Sequence, residues 1–357
     1  MTNAAFLQPY VDNGTIAGAV TLVASVDAVI SHDAVGWATI GVAPMRRDSM
    51  FWIASITKPI TATCLMMLVD AGRIRIEDPV EAYLPEFSGQ MLAVEQDAEH
   101  AILRKPARPI TVRDVLAHTS GLPFNTRPEA GKIDRLTLRE AAISYALSPL
   151  GFEPGTRYAY SNGGTNTAGR LIEAVSGIAY WDFLRTRLLE PLGMRDTTFW
   201  PDAAQLGRLA TAYQPNADRT ALAALAIEQC SYPLDARSRH PSPAGGLFST
   251  AEDLWRFARM VLAGGMVAGA RLLTESAVRQ MTSRQTGALE NCYGLGWAVD
   301  PAGQGFGHGG AYSTDLWIDT VRGRALVYLV QHNGYGGSDG AAILPAFRKL
   351  ATAISAR

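Results

Sequence analysis

Residues 52–65 read WIASITKPITATCL, and the order of serine, lysine and proline in that stretch decides how the surrounding chain folds. Proline has no N–H to give an interior helical turn, so Pro59 is tolerated without penalty only where a helix has just begun. That places the helix start near Ser55 and predicts a helix over Thr57 to Gly72. At 3.6 residues per turn, Ser55 and Lys58 then share one face at the partly positive end of the helix. The run that follows, ITATCLMMLV, is apolar nearly all round, which predicts a buried helix with its lysine at a desolvated mouth. Burial disfavours the ammonium form, and an amine of lowered proton affinity can take the proton of a serine hydroxyl, a poor nucleophile by itself. Ser-x-x-Lys is a loose pattern, and a serine ahead of a helix is most often just an N-cap. The lysine shifts the balance. The chain has only Lys58, Lys105, Lys132 and Lys349, and setting one of them against apolar residues is destabilising unless the position is used.

Outward from this helix the chain reads as strands, then helices, then strands. AVTLVAS from Ala19 and AVGWATI from Ala34 are β-rich runs around a polar turn region, an early hairpin. Helical periodicity recurs near Val112 to His118, Thr137 to Leu147, Thr165 to Gly177 and Tyr180 to Leu189, and again over Ala251 to Ala263, stopped by Gly264-Gly265. YGLGWAV, TDLWIDT and ALVYLVQ (from Tyr293, Thr314 and Ala325) return to strand, and a helix over about Ala341 to Ile354 closes the chain. Strands at both ends of a helical middle predict an α+β fold: a discontinuous lobe of residues 1–50 plus 245–357, a mostly helical lobe of residues 51–244 inserted into it, and a site at their junction.

Composition narrows the function. Lys+Arg 32 against Asp+Glu 33 in 357 residues leaves a formal charge of -1 and no basic field, so nucleic acid is not expected as a partner. No apolar run is long enough to span a bilayer, and the N-terminal residues lack the layout of an export signal. No membrane association is expected, and the cytoplasm is the default compartment, although a mature exported form would read the same. Cys64, Cys230 and Cys292 are odd in number and lack zinc spacing, so free thiols are expected, with no metal and no cofactor.

Two further motifs carry chemistry. Tyr160-Ser161-Asn162 lies in a Gly-rich bend before a helix, where a phenol can trade protons and an amide can orient a substrate carbonyl. Its bland reading is a helix-entry turn with a packed tyrosine. His308-Gly309-Gly310 precedes a strand, and its glycines let a substrate approach until the N–H of Ala311 can donate to a developing oxyanion. The bland reading there is a hairpin loop. Decoys are few. Gly336-Gly337-Ser338-Asp339-Gly340 has the form of a nucleophile elbow, but every histidine precedes Ser338, against the order that fold requires. GFGHGG matches a dinucleotide fingerprint yet is followed by a strand, and His118-Thr119-Ser120 reads better as a helix-end turn than as a Ser/His pair.

Taken together, Ser-x-x-Lys, Tyr-x-Asn and His-Gly-Gly resemble, in order and separation, the serine β-lactamase and penicillin-binding-protein superfamily in its class C β-lactamase and family VIII carboxylesterase branch. LAHTSGLP, PLGMRDTTFW and PAGGLFSTAEDLWRFARMVLAGG also look like that family's connecting segments, so the resemblance covers nearly the whole chain. It implies an antiparallel sheet flanked by N- and C-terminal helices with an inserted helical lobe. It makes Ser55 the acylated nucleophile, Lys58 the group that shares its proton, and Tyr160 the phenol acting beside the lysine. Asn162 becomes the substrate-amide contact, the N–H groups of Ser55 and Ala311 the oxyanion hole, and His308, Gly309, Gly310 and Tyr312 the pocket wall. One departure matters. Where the β-lactamases carry a lysine this chain has His308, mostly neutral at pH 7, which weakens any hold on a substrate carboxylate. The expectation is a serine hydrolase acting on a small-molecule ester or amide, foremost a carboxylesterase on small esters with weak β-lactam hydrolysis. The nearest alternatives are a class C-like β-lactamase or a D-alanyl-D-alanine carboxypeptidase or D-aminopeptidase; from another class, a penicillin-binding sensor that does not turn over, or a pseudoenzyme.

Overall fold

The run GAVTLVA at Gly18–Ala24 is buried at every residue, and its alternation divides the core in two. In the computed structural model, which describes residues 3–97, 99–337 and 339–353, this strand lies inside a seven-stranded antiparallel sheet. The sheet order is Ala298–Val299, Gly305–Gly309, Asp315–Asp319, Arg324–Leu329, Gly18–Ala24, Val29–Thr39 and Ala43–Pro44. Side chains of a strand alternate between faces. Ala19 and Val23 therefore meet Leu7, Ile343 and Phe347 of the terminal helices Asn3–Asp12 and Gly340–Ala353. Val20, Leu22 and Ala24 meet Leu254 and Phe257 of the helix Ala251–Leu262. Register is set by Val20 opposite Leu329 and Leu22 opposite Val327 on one side and by Gly18 opposite Gly36 on the other. The α+β class and the flanking terminal helices are as expected. The closing helix is described to Ala353, so Ile354 lies outside the described residues, as does Ser338 of the elbow-like motif.

The second sheet face opens into the helical segment without a break. One apolar cluster runs from Val20 and Val327 through Leu254 and Trp297 to Leu65, Leu116 and Leu171. Within it lies the helix Thr57–Asp70, buried at every position from Thr57 to Met66. The strand Phe51–Trp52, paired with Phe248–Ser249, delivers the chain to it.

Two expectations need correction. YGLGWAV forms a strand only at Ala298–Val299; the Gly294 N–H donates to the Trp297 carbonyl at 2.8 Å in a tight turn. Gly296, at φ +79°, lies so close to the nucleophile helix that a Cβ would come within 2.5 Å of Ala62 and 3.1 Å of the Lys58 carbonyl. Conversely, GFGHG at Gly305–Gly309 is itself a strand, hairpinned to Asp315–Asp319. Glycine favours strands poorly, but here a Cβ at Gly305 or Gly307 would come within 2.8 Å of the Trp317 ring.

Candidate active site

The polypeptide enters the site through a strained turn. Ala54 has φ +45°, a region that non-glycine residues rarely occupy, and Ala54–Ile56 form one 3₁₀ turn that runs directly into the helix from Thr57. The expected start near Ser55 is thus correct to within that turn. Ser55 is not an N-cap: no side-chain cap closes either segment, and Thr57 Oγ1 donates to the Ala54 carbonyl at 2.6 Å instead. The Ser55 hydroxyl remains partly accessible and free for other chemistry.

Lys58 is fully buried, and its Nζ meets three oxygens: Ala244 carbonyl at 2.7 Å, Asn162 Oδ1 at 2.9 Å and Ser55 Oγ at 3.2 Å. No carboxylate is among them. Desolvation holds the Lys58 pKa well below that of an ordinary lysine. A neutral amine has two hydrogens and one lone pair. The carbonyl and the amide oxygen can only accept, so in the deprotonated form they take the hydrogens and the lone pair is left facing the hydroxyl of Ser55. The site therefore aims a base at the serine.

Tyr160 lies across the lysine, its ring centroid 4.6 Å from Nζ. Burial raises the phenol's pKa, and a hydrogen bond with Ser55 opposes this more weakly. Its O–H also stands 3.4 Å from His308 Nε2. His308 is buried and its tautomer is determined by its surroundings: Nδ1 is 2.7 Å from the Gly309 carbonyl, which can only accept, so Nδ1 carries the hydrogen and Nε2 is the acceptor. Desolvation, with the Lys58 charge adding to it, pushes the imidazole down to about 3, so it is neutral at physiological pH.

Two residues that sequence reasoning did not place in the site pack behind these groups. Tyr293 is buried, and its hydroxyl lies 2.9 Å from His308 Nε2. His118, in the left-handed region at φ +60° just past the helix Val112–Leu116, packs its ring 4.4 Å from that of Tyr160 and 4.8 Å from that of Tyr293. Its Nδ1 accepts from the Ser161 N–H at 3.2 Å, which ties the helix-end turn to the Tyr160 bend. The structural reading of His118 was correct, though its task as a wedge between two phenols has no sequence signal. A tyrosine beside a glycine turn in NCYGLGW was the one available hint for Tyr293.

The remaining candidates separate into two groups. Ser161 caps the helix Asn162–Ser176, accepting from the Gly164 N–H at 3.0 Å. Asn162 thereby faces Lys58, while its Nδ2 donates to Asn125 Oδ1 at 3.3 Å, so both ends of this amide are occupied within the protein. Gly309 ends its strand and Gly310 turns the chain, its N–H on the Thr314 carbonyl at 2.7 Å. Thr314 Oγ1 donates to the Ile53 carbonyl at 3.3 Å, which joins this turn to the Ser55 turn. The N–H groups of Ser55 and Ala311 donate to no acceptor among the described residues. Tyr312 clusters with Trp52 and Ala54, just ahead of Ser55: its ring packs edge-on against Trp52 at 5.1 Å and its hydroxyl reaches the backbone at Glu228. Among the described residues, no group of three His, Cys, Asp or Glu is arranged to hold a metal ion, and no helix is long and apolar enough to cross a membrane.

A serine facing an amine of lowered proton affinity, with a protonated phenol beside it and two N–H groups nearby that have no acceptor among the described residues, is the equipment of a hydrolase that acylates serine. The Beta-lactamase family profile matches residues 3–347, and the chain belongs to that family of serine hydrolases. Penicillin-binding protein 4 of Amycolatopsis lactamdurans is 32% identical to it, over 82% of this chain and 74% of that protein. Lovastatin esterase of Penicillium rubens is 30% identical, over 78% and 72% respectively. Among solved structures, EstCE1, described as a hydrolase with promiscuous acyltransferase activity, superposes with a TM-score of 0.79 at 22% identity, covering 98% of this chain and 97% of its own. That likeness supports the fold.

Proposed function

We propose that the chain hydrolyses small, uncharged carboxylic esters through an acyl-enzyme on Ser55. The observation that carries this reading is the geometry at Lys58: two of its three partners are pure acceptors, which leaves the lone pair on Ser55. In the first step Ser55 Oγ bonds to the ester carbon as its proton passes to Lys58 Nζ, and the carbonyl oxygen gathers negative charge beside the N–H groups of Ser55 and Ala311. When the tetrahedral intermediate collapses, the bond to the alcohol oxygen breaks and Tyr160 supplies the proton that oxygen needs. The Lys58 ammonium restores the phenol, so no net proton is consumed. Water then repeats the sequence on the acyl-enzyme.

The preference for uncharged substrates rests on His308. A cation at this position would hold a carboxylate; an imidazole with one nitrogen on Gly309 and a pKa lowered to about 3 offers none. The test is a panel of short aryl esters, a chromogenic cephalosporin and D-alanyl peptides on one preparation, alongside Ser55→Ala. The esters should be the fastest substrates, and Ser55→Ala should abolish turnover with the fold intact. Faster turnover of the cephalosporin or peptides overturns the substrate assignment, a stoichiometric burst without turnover indicates a sensor, and an active Ser55→Ala removes the nucleophile.

A further inference from the structure

His308 Nε2 has a single in-plane lone pair, and two phenols compete for it: Tyr293 at 2.9 Å and Tyr160 at 3.4 Å. The other ring nitrogen is already committed to the Gly309 carbonyl. Both phenols are protonated, since burial raises each above the ordinary tyrosine value. The nearer one takes the lone pair. The His118 ring packs against both phenols, and Tyr293 is additionally in ring contact with Tyr158 at 5.7 Å.

Resting on the esterase reading above, we propose that Tyr293 is a positioning residue: by occupying the Nε2 lone pair of His308 it reserves the Tyr160 proton for the departing alcohol, and so equips the enzyme for esters of unactivated alkyl alcohols. Without the Tyr293 hydroxyl, the nearest donor left to Nε2 is Tyr160. Its O–H would turn towards His308 and away from the leaving oxygen. The consequence depends on the leaving group. An alkoxide is too basic to depart without a proton, so the C–O bond breaks only as the Tyr160 O–H is transferred to that oxygen. A nitrophenolate departs as the anion and needs no such proton.

The experiment compares kcat/KM of the wild type and Tyr293→Phe on ethyl butyrate and p-nitrophenyl butyrate. The two esters share an acyl group and hence an acyl-enzyme, so any divergence lies in acylation. Tyr293→Phe keeps the ring and its packing. We expect it to lose about ten- to a hundredfold on the ethyl ester and to stay within about threefold of wild type on the nitrophenyl ester. The double variant Tyr160→Phe/Tyr293→Phe should then be no slower on the ethyl ester than Tyr160→Phe alone, because Tyr293 acts through Tyr160. Equal losses on both esters, no loss on either, or additive losses in the double variant would each overturn the proposal. Should the wild type turn over neither ester, the esterase reading itself fails, a result distinct from any of these.

Discussion

At the scale of single residues, the chemistry depends on one amine held without a counter-ion. Desolvation, with no neighbouring cation, lowers the Lys58 pKa well below the ordinary lysine value, which gives the pH dependence a definite sign. Below its lowered pKa the amine is protonated and has no lone pair for Ser55, so kcat/KM should rise with pH through that pKa and then level off. Tyr160 and Tyr293 both titrate above the ordinary value of 10.0 and His308 near 3, so none of them adds a descending limb in the working range. A pH–rate profile falling between about pH 7 and 9 would contradict this assignment. Lys58→Met, which keeps the length and removes the base, should lower kcat by about two to four decades with the fold preserved by far-UV dichroism. Ser55, Lys58 and Tyr160 were legible in the sequence because each belongs to a short motif whose spacing restricts where it can point. Tyr293, His118 and the Ala244 carbonyl were not, since no short motif ties them to the site: Tyr293 reaches His308 over 15 positions, His118 packs against Tyr160, and Ala244 accepts from Lys58 across 186 positions.

At the scale of elements, two turns face each other across the nucleophile. The Ser55 turn is held by the strained Ala54, and the Gly310 turn is drawn onto it through Thr314 and the Ile53 carbonyl. A Cβ at Gly310 would come within 2.0 Å of Thr314 Oγ1 and 2.6 Å of the Ile53 oxygen, so Gly310→Ala must push the turn outwards and carry the Ala311 N–H with it. Loss of one oxyanion donor costs about 10²–10³ in kcat, and that is the loss expected here, with KM changing far less. An unchanged kcat would remove Ala311 from the oxyanion hole. The hairpin behind this turn was harder to read. Glycine gives no β-forming signal, so the strand Gly305–Gly309 was invisible until Trp317 was seen lying over it. The opposite error arose at Tyr293–Val299, where aromatic and branched residues imitate a strand while Gly296 in fact bends the chain against the nucleophile helix. The Gly18–Ala24 strand was read correctly from its β-branched apolar run, Thr57–Asp70 from Pro59 at its start, and Ala251–Leu262 from burial on one face, which leaves a clear periodicity.

At the scale of the whole molecule, we propose that residues 51–244 are an insertion into the sheet lobe formed by residues 1–50 and 245–357. The apolar cluster that crosses this boundary predicts that both parts unfold together, with coincident transitions by far-UV dichroism and tryptophan fluorescence. Two separate transitions would show independent lobes. The segment leading to Ala244 is anchored by Arg239, whose Nε donates to Asp134 at 2.7 Å with both side chains buried; Asp134 also accepts from the Ser231 N–H and hydroxyl. Arg239→Ala leaves that carboxylate unpaired in the interior and should cost about 3–5 kcal/mol in denaturant titration; a change under about 1 kcal/mol would mean that water readily replaces the guanidinium. The claim on which all of this depends is that Ser55 carries the acyl group. Rapid acid quench during turnover of p-nitrophenyl butyrate, followed by peptide mapping in a mass spectrometer, measures it directly. The account predicts one butyryl group per chain, on the peptide containing Ser55 and absent from Ser55→Ala. An acyl group on any other residue, or undiminished turnover by Ser55→Ala, would contradict it.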